Sequence, residues 1–121
     1  MPQFPDDDRM AFQDQEGRAY VLKLLTGELI WKRGGVPGSF TDGTAILGND
    51  GTFYTVNNLD DKFVPDHPGE LHAYRLSDGQ LLWAQRVPRA PNAFPAVGRL
   101  RPGAGLSVVM PVGTQGGPYP T

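Results

Sequence analysis

Apolar and polar positions alternate with a period of two along most of the chain. Residues 18–24 read RAYVLKL and residues 69–76 read GELHAYRL. Both are short runs with apolar side chains at every second position, which is the pattern of a half-buried strand. Each is followed by a polar-Gly pair, Thr26-Gly27 or Asp78-Gly79, and then by a second apolar run over 28–32 or 80–87. Glycine accepts a positive φ at low cost, so each pair predicts a tight turn between two antiparallel strands. A third hairpin is predicted between them, from TAILG at 44–48, through Asn49-Asp50-Gly51, to TFYTVN at 52–57. One further strand precedes the first hairpin at 10–13. Two more follow at 95–100 and 106–112, joined by residues 101–105. Pro111 falls in the last of these and places it at an edge or a bulge. No run holds an apolar face at helical spacing. The pattern predicts an all-β chain of roughly nine strands with almost no helix.

The two outer hairpins are copies. At an offset of 52, Gly17 falls on Gly69, Leu24 on Leu76, Gly27 on Gly79, Leu29 on Leu81 and Trp31 on Trp83, while Leu22 meets Tyr74 and Ile30 meets Leu82. A period near 50 residues belongs to propeller blades, each made of four antiparallel strands. The strands then divide into a partial blade at 9–33, a full blade at 44–87 and a partial blade at 94–115. Residues 59–68 are an insertion in the full blade, and Pro88, Pro91 and Pro95 stiffen the crossing to the next. The chain thus spells a partial β-propeller of about two blades. A closed propeller takes four to eight blades, so completion by other chains or by a larger polypeptide is expected.

Composition narrows this reading. The 121 residues suit one domain, and 16 Gly and 12 Pro punctuate the apolar runs as in a turn-rich β protein. The net charge of −2 comes with no basic block, so nucleic-acid binding has no electrostatic footprint. Asp6, Asp7 and Asp8 read as a solvated acidic tail over 1–8, and 116–121 as a flexible C-terminal tail. With no cysteine, disulfides and thiol chemistry are excluded. No signal peptide is visible at the N-terminus, and no apolar stretch reaches the roughly 18 residues of a membrane-spanning helix.

The run YVLKLLTGELIWK, from Tyr20 to Lys32, resembles the tryptophan-docking repeat of quinoprotein-type propellers. These are the pyrroloquinoline-quinone (PQQ) dehydrogenases and their non-enzymatic relatives, such as the bacterial outer-membrane assembly lipoprotein. The family pattern is Ala-x-Asp-x-x-Thr-Gly-x-x-x-Trp. Thr26, Gly27 and Trp31 match it in the first copy, with Val21 for the Ala and Lys23 for the Asp. Ala73, Gly79 and Trp83 match it in the second, with Asp78 for the Thr and Arg75 for the Asp. NDGTFYTVNN resembles the family's usual second strand. The resemblance covers residues 10 to 115. It implies that Trp31 and Trp83 lie between blades as structural groups, and it leans towards a periplasmic or extracellular setting.

Catalytic chemistry finds little support in the residues. The resemblance implies that an active PQQ dehydrogenase would show a catalytic Asp, a calcium site, an Arg beside the quinone and often adjacent cysteines. Asp60 and Asp61 beside Asn57 and Asn58 are the one acidic and amide cluster with calcium-type oxygen ligands; the other reading is a polar loop between blades. His67 and His72 could share a metal only with help from Asp66 or Glu70, and otherwise read as exposed polar residues. Ser39, Ser77 and Ser107 lie in no nucleophile-elbow pattern. Three functions stay open. The favoured one is a non-catalytic scaffold or protein-interaction segment that contacts other protein chains, with the 59–68 loop as a candidate contact surface and no cofactor of its own. The second is a fragment of a quinoprotein dehydrogenase, which would need PQQ and calcium. The third is a carbohydrate-binding propeller using Phe63, Phe94 or Tyr119.

Overall fold

The computed structural model describes residues 8–41, 43–59 and 68–112. Among these the chain is all-β, with nine strands in three antiparallel sheets and no helix. The first sheet holds β1 (Arg9–Gln13), β2 (Arg18–Lys23) and β3 (Leu29–Gly34). The second holds β4 (Ile46–Leu47), β5 (Thr52–Asn58), β6 (Gly69–Arg75) and β7 (Leu81–Val87). The third is the pair β8 (Ala96–Gly98) and β9 (Ser107–Val109). In every sheet, neighbours in sequence are neighbours in space. Short turns dictate this up-and-down order for β1–β2, β2–β3, β4–β5 and β6–β7, because the strand leaving a tight hairpin has to return beside its predecessor, while β5 and β6 pair across the longer 59–68 connection and β8 and β9 across 99–106.

The second sheet lies in the middle of the packing. Alternation along its strands sends side chains to both faces, and both faces are covered, so every residue of β5 is buried. One core joins Ala19, Val21 and Trp31 of the first sheet to Phe53 and Tyr74 of the second. The other joins Tyr54, Val56, Leu71 and Ala73 of the second sheet to Val97, Val108 and Met110 at the third. The small residues Ala19 and Ala73 let the sheets approach the large rings opposite them.

Three strands are shorter than their patterns predict: β8 keeps only Ala96–Gly98 of the 95–100 run, and β4 and β9 are shortened for causes seen beside them. β4 pairs with β5 only at Ile46 and Leu47, although the apolar run begins at residue 44. Continued, that register would set Thr44 opposite Val56. The place is taken by the side chain of Gln13, whose Nε2 donates to the Val56 carbonyl at 2.9 Å and whose Oε1 accepts from the Val56 N–H at 3.0 Å. A side-chain amide thus completes the ladder and ties the first sheet to the second. β9 stops at Val109, so Pro111 lies outside the strand. Proline has no N–H to offer a ladder, and Met110 instead packs against the second core.

Candidate functional site

The interface between the first two sheets is built by one tryptophan. Trp31 sits on β3 opposite Val21 of β2, and alternation sends both side chains to the buried face. Its ring meets Phe53 edge-on at 6.4 Å and Tyr74 at 5.7 Å, and it is 5% exposed. The indole Nε1 donates to the Leu76 carbonyl at 2.8 Å. Leu76 opens the turn between β6 and β7, and Gly79 of that turn lies flat under the ring. A Cβ built on Gly79 would stand 2.6 Å from the indole Cδ2. The tryptophan of the first hairpin is therefore seated on the polar-Gly turn of the second. Arg9 adds an outer tie, its Nη1 donating to the Ser77 carbonyl at 2.8 Å.

The two turns share one construction. Gly27 donates to the Lys23 carbonyl at 2.9 Å, and Gly79 to the Arg75 carbonyl at 2.8 Å. Both glycines have positive φ, 75° and 76°. Thr26 Oγ1 accepts from the Glu28 N–H at 3.3 Å, and Asp78 Oδ1 accepts from the Gln80 N–H at 3.0 Å. Threonine and aspartate thus perform the same task, which accounts for the exchange between the copies. The backbone N–H of Gln80, with Arg75 beside it, holds the Asp78 carboxyl below its ordinary range. Lys23 and Arg75, at the position where the resembling pattern has Asp, point outward. They pair with Glu28 at 3.3 Å and with Asp78 at 3.0 Å.

Trp83 is treated differently. It faces Ala73 on β6, as Trp31 faces Val21, and its ring leans on Tyr54 at 5.9 Å. Yet it is 41% exposed. Its indole N–H donates to no described residue, and no described glycine has Trp83 among its nearest neighbours. The ring lines an open groove of about 540 Å³ with Asp50, Tyr54, Leu71, Gln85 and Val108. Beside it Leu81 and Leu82 are also exposed. Among the described residues, the third sheet covers the Val56 end of this face and leaves the β7 end exposed.

The other predicted residues are placed as follows. Asp60, Asp61, Phe63, Asp66, His67 and Tyr119 lie outside the described residues, as do the tail residues 1–7 and 116–121 and all of the insertion except Leu59 and Pro68. Asn57 and Asn58, read with Asp60 and Asp61 as possible calcium ligands, are buried in the interior. Asn58 Nδ2 donates to the Phe40 carbonyl and, at 3.4 Å, to Asn92 Oδ1. It pins the connector before β4 and the one after β7. His72 is not an exposed polar residue. Its side chain is 13% exposed, with Nε2 3.7 Å from Glu70 Oε1. Burial lowers its pKa against the opposing pull of Glu70. Thr55, which pairs with His72 across the strands, and Asn57 share the interior with it. Thr55 Oγ1, Asn57 Oδ1 and His72 Nδ1 have no hydrogen-bond partner among the described residues. Phe94 is exposed, Ser39 is buried, Ser77 belongs to the second turn and Ser107 opens β9.

Among the described residues no three His, Asp or Glu side chains converge as metal ligands. No described helix is long and apolar enough to cross a membrane. Gln13 was missed by sequence reasoning; a lone glutamine at a strand end carries no signal of its bond to Val56. A scan against models of known protein families finds no match, and a search of curated proteins finds none either.

Proposed function

We propose that this chain is a non-catalytic β-propeller repeat segment, a scaffold or protein-interaction module whose blades are completed by other chains or by a larger polypeptide. One observation carries the reading. The same repeat position is buried on a glycine turn in its first copy, at Trp31, and exposed in its second, at Trp83. An indole whose N–H meets no described acceptor, set beside exposed leucines, is a surface shaped for a protein. The bare part of the face is the part that two further strands of a third blade would cover. The tryptophans and glycine turns serve packing, and the charged groups beside the second turn, Arg9, Arg75 and Asp78, bond to its backbone and to one another.

The test is a set of thermal melts with PQQ plus calcium and with a panel of oligosaccharides. A ligand that binds the folded chain raises its melting temperature by mass action. No shift is expected. Stabilisation by PQQ with calcium would overturn the proposal in favour of a quinoprotein dehydrogenase fragment. Stabilisation by a saccharide would assign the Trp83 groove, with Tyr54, Asp50 and Gln85, to sugar binding.

A further inference from the structure

We infer that the bare Trp83 face is covered by a second copy of this chain, docked head to tail so that Trp83 of one copy seats on the Gly27 turn of the next. This rests on the propeller-segment reading and names its partner. The interface between the first and second sheets is the template. Its donor half is Trp31. Its receiving half is Phe53, Tyr74, the Leu76 carbonyl and Gly79. The repeat supplies each half a second time. Trp83 is the second donor and is exposed. The second receiver is the outer face of the first sheet. There Met10 pairs with Leu22 as Phe53 pairs with Tyr74, and Leu24 and Gly27 hold the turn positions of Leu76 and Gly79. That receiver is open among the described residues. A Cβ on Gly27 would meet nothing within 4 Å, and Met10 and Phe12 are exposed beside it. Among the described residues, one molecule therefore carries an unused donor and an unused receiver of an interface it already forms internally. Such halves join heterologously, and they close into a ring where the rotation allows.

Docking has a structural consequence at the third sheet. β9 and the incoming β1 are both second strands of the blade being completed, so they compete for one place. β1 pairs with its neighbour at five positions and β9 at three. β9 yields, and β8 is left to pair with the incoming β1. The composite blade then has four strands, β8 from one copy and β1, β2 and β3 from the next.

The experiment is native mass by light scattering after size exclusion, on the wild-type chain and on three variants. Trp83→Ala removes the donor. Gly27→Val places a branched side chain on the receiving turn. Met10→Asp charges the receiving face at an exposed position, so it reads the receiver even where Gly27→Val disturbs its own turn. The wild type is expected as an assembly of about two to four chains, the number that gives a closed propeller of four to eight blades at two blades per chain. Each variant alone is expected as a single chain with unchanged β-sheet circular dichroism. Mixing Trp83→Ala with Met10→Asp pairs the intact receiver of the first with the intact donor of the second. A species of twice the single-chain mass should return.

A wild-type chain that stays single at every concentration overturns self-docking. So does an assembly that survives both Gly27→Val and Met10→Asp. Neither result touches the interaction reading, which falls only with the ligand melts. Loss of assembly in Trp83→Ala without recovery on mixing would also overturn the head-to-tail arrangement, leaving a symmetric contact or a further segment of a longer polypeptide to cover Trp83.

Discussion

The indole N–H of Trp31 and the backbone carbonyl of Leu76 meet at 2.8 Å across 45 positions of sequence. The bond crosses from the first sheet to the second and fixes the ring over the turn that Leu76 begins. Replacing Trp31 with alanine removes both the packing and the bond. Large-to-small changes of a buried aromatic cost about 3–5 kcal/mol. Trp31→Phe keeps much of the packing but leaves the carbonyl without its donor, and should lose less, about 1–3 kcal/mol. Urea unfolding followed by circular dichroism would rank the two. Equal losses would mean that the hydrogen bond contributes nothing.

Gly79 and Gly27 separate backbone strain from close approach. Both sit at a positive φ near 75°, so alanine at either position incurs a similar strain of about 1 kcal/mol. Only at Gly79 does the new methyl group run into the Trp31 ring, and overpacking of that kind adds about 1–3 kcal/mol. Gly79→Ala should be the more destabilising of the pair in denaturant melts at high dilution, where association does not contribute. A larger loss for Gly27→Ala would show that the turn, and not the tryptophan above it, sets the need for glycine.

Gln13 should be intolerant of an apolar isostere. Gln13→Met preserves the length of the side chain but leaves the N–H and C=O of Val56 without the partners that Gln13 supplies. Each unsatisfied group costs about 1–3 kcal/mol. The amide of Val56 should also lose its protection in hydrogen exchange, while Leu71 and Ala73 on β6 keep theirs. Protection of Val56 that survives the substitution would rule out the glutamine bridge.

Two pH windows should differ. Burial lowers the pKa of His72 in the folded chain, so the unfolded chain takes up the proton first. The contribution of neutral His72 is fully present above the ordinary histidine value of about 6.5. It is lost as pH falls from there through the folded pKa. His72→Gln should flatten the stability profile in that range. Asp78 is also lowered, chiefly by the N–H of Gln80, and its contribution is lost at more acidic pH, as pH falls from the ordinary carboxylate value of about 3.9 through the lower folded pKa. Equilibrium unfolding across about pH 2 to 8 for the wild type, His72→Gln and Asp78→Ala would resolve the windows. An unchanged slope near pH 6 in His72→Gln would refute the histidine's part.

The turns and strands were legible because their causes are local. Gly27, Gly51 and Gly79 take positive φ where polar-Gly pairs interrupt alternating runs, and the division into three, four and two strands follows from those turns. What was not legible depends on the neighbour across a sheet. Trp31 and Trp83 stand in nearly the same local sequence, yet one is buried and one is not, because among the described residues only Trp31 has a glycine turn opposite. Thr44 has the pattern of a strand residue, but Gln13 from another sheet takes its place. His72 looks polar and exposed until the first sheet is laid over it. Asp60 and Asp61, the cluster that suggested calcium, fall outside the described residues, but their companions Asn57 and Asn58 are buried inside the protein, where Asn58 pins the connectors through Phe40 and Asn92.

The wide sequence separation of the Trp31 contact also bears on how fast the native state comes apart. Hairpins such as β6 and β7 close over the five residues between Arg75 and Leu81 and form early, whereas a contact between residues 45 positions apart waits for both hairpins and incurs the larger loop-closure entropy. Interactions made after the rate-limiting step act on the rate of unfolding and leave the rate of folding nearly unchanged. The seat of Trp31 on Gly79 is thus a latch on the lifetime of the folded chain: without it the two hairpins assemble at nearly the same pace and separate much sooner.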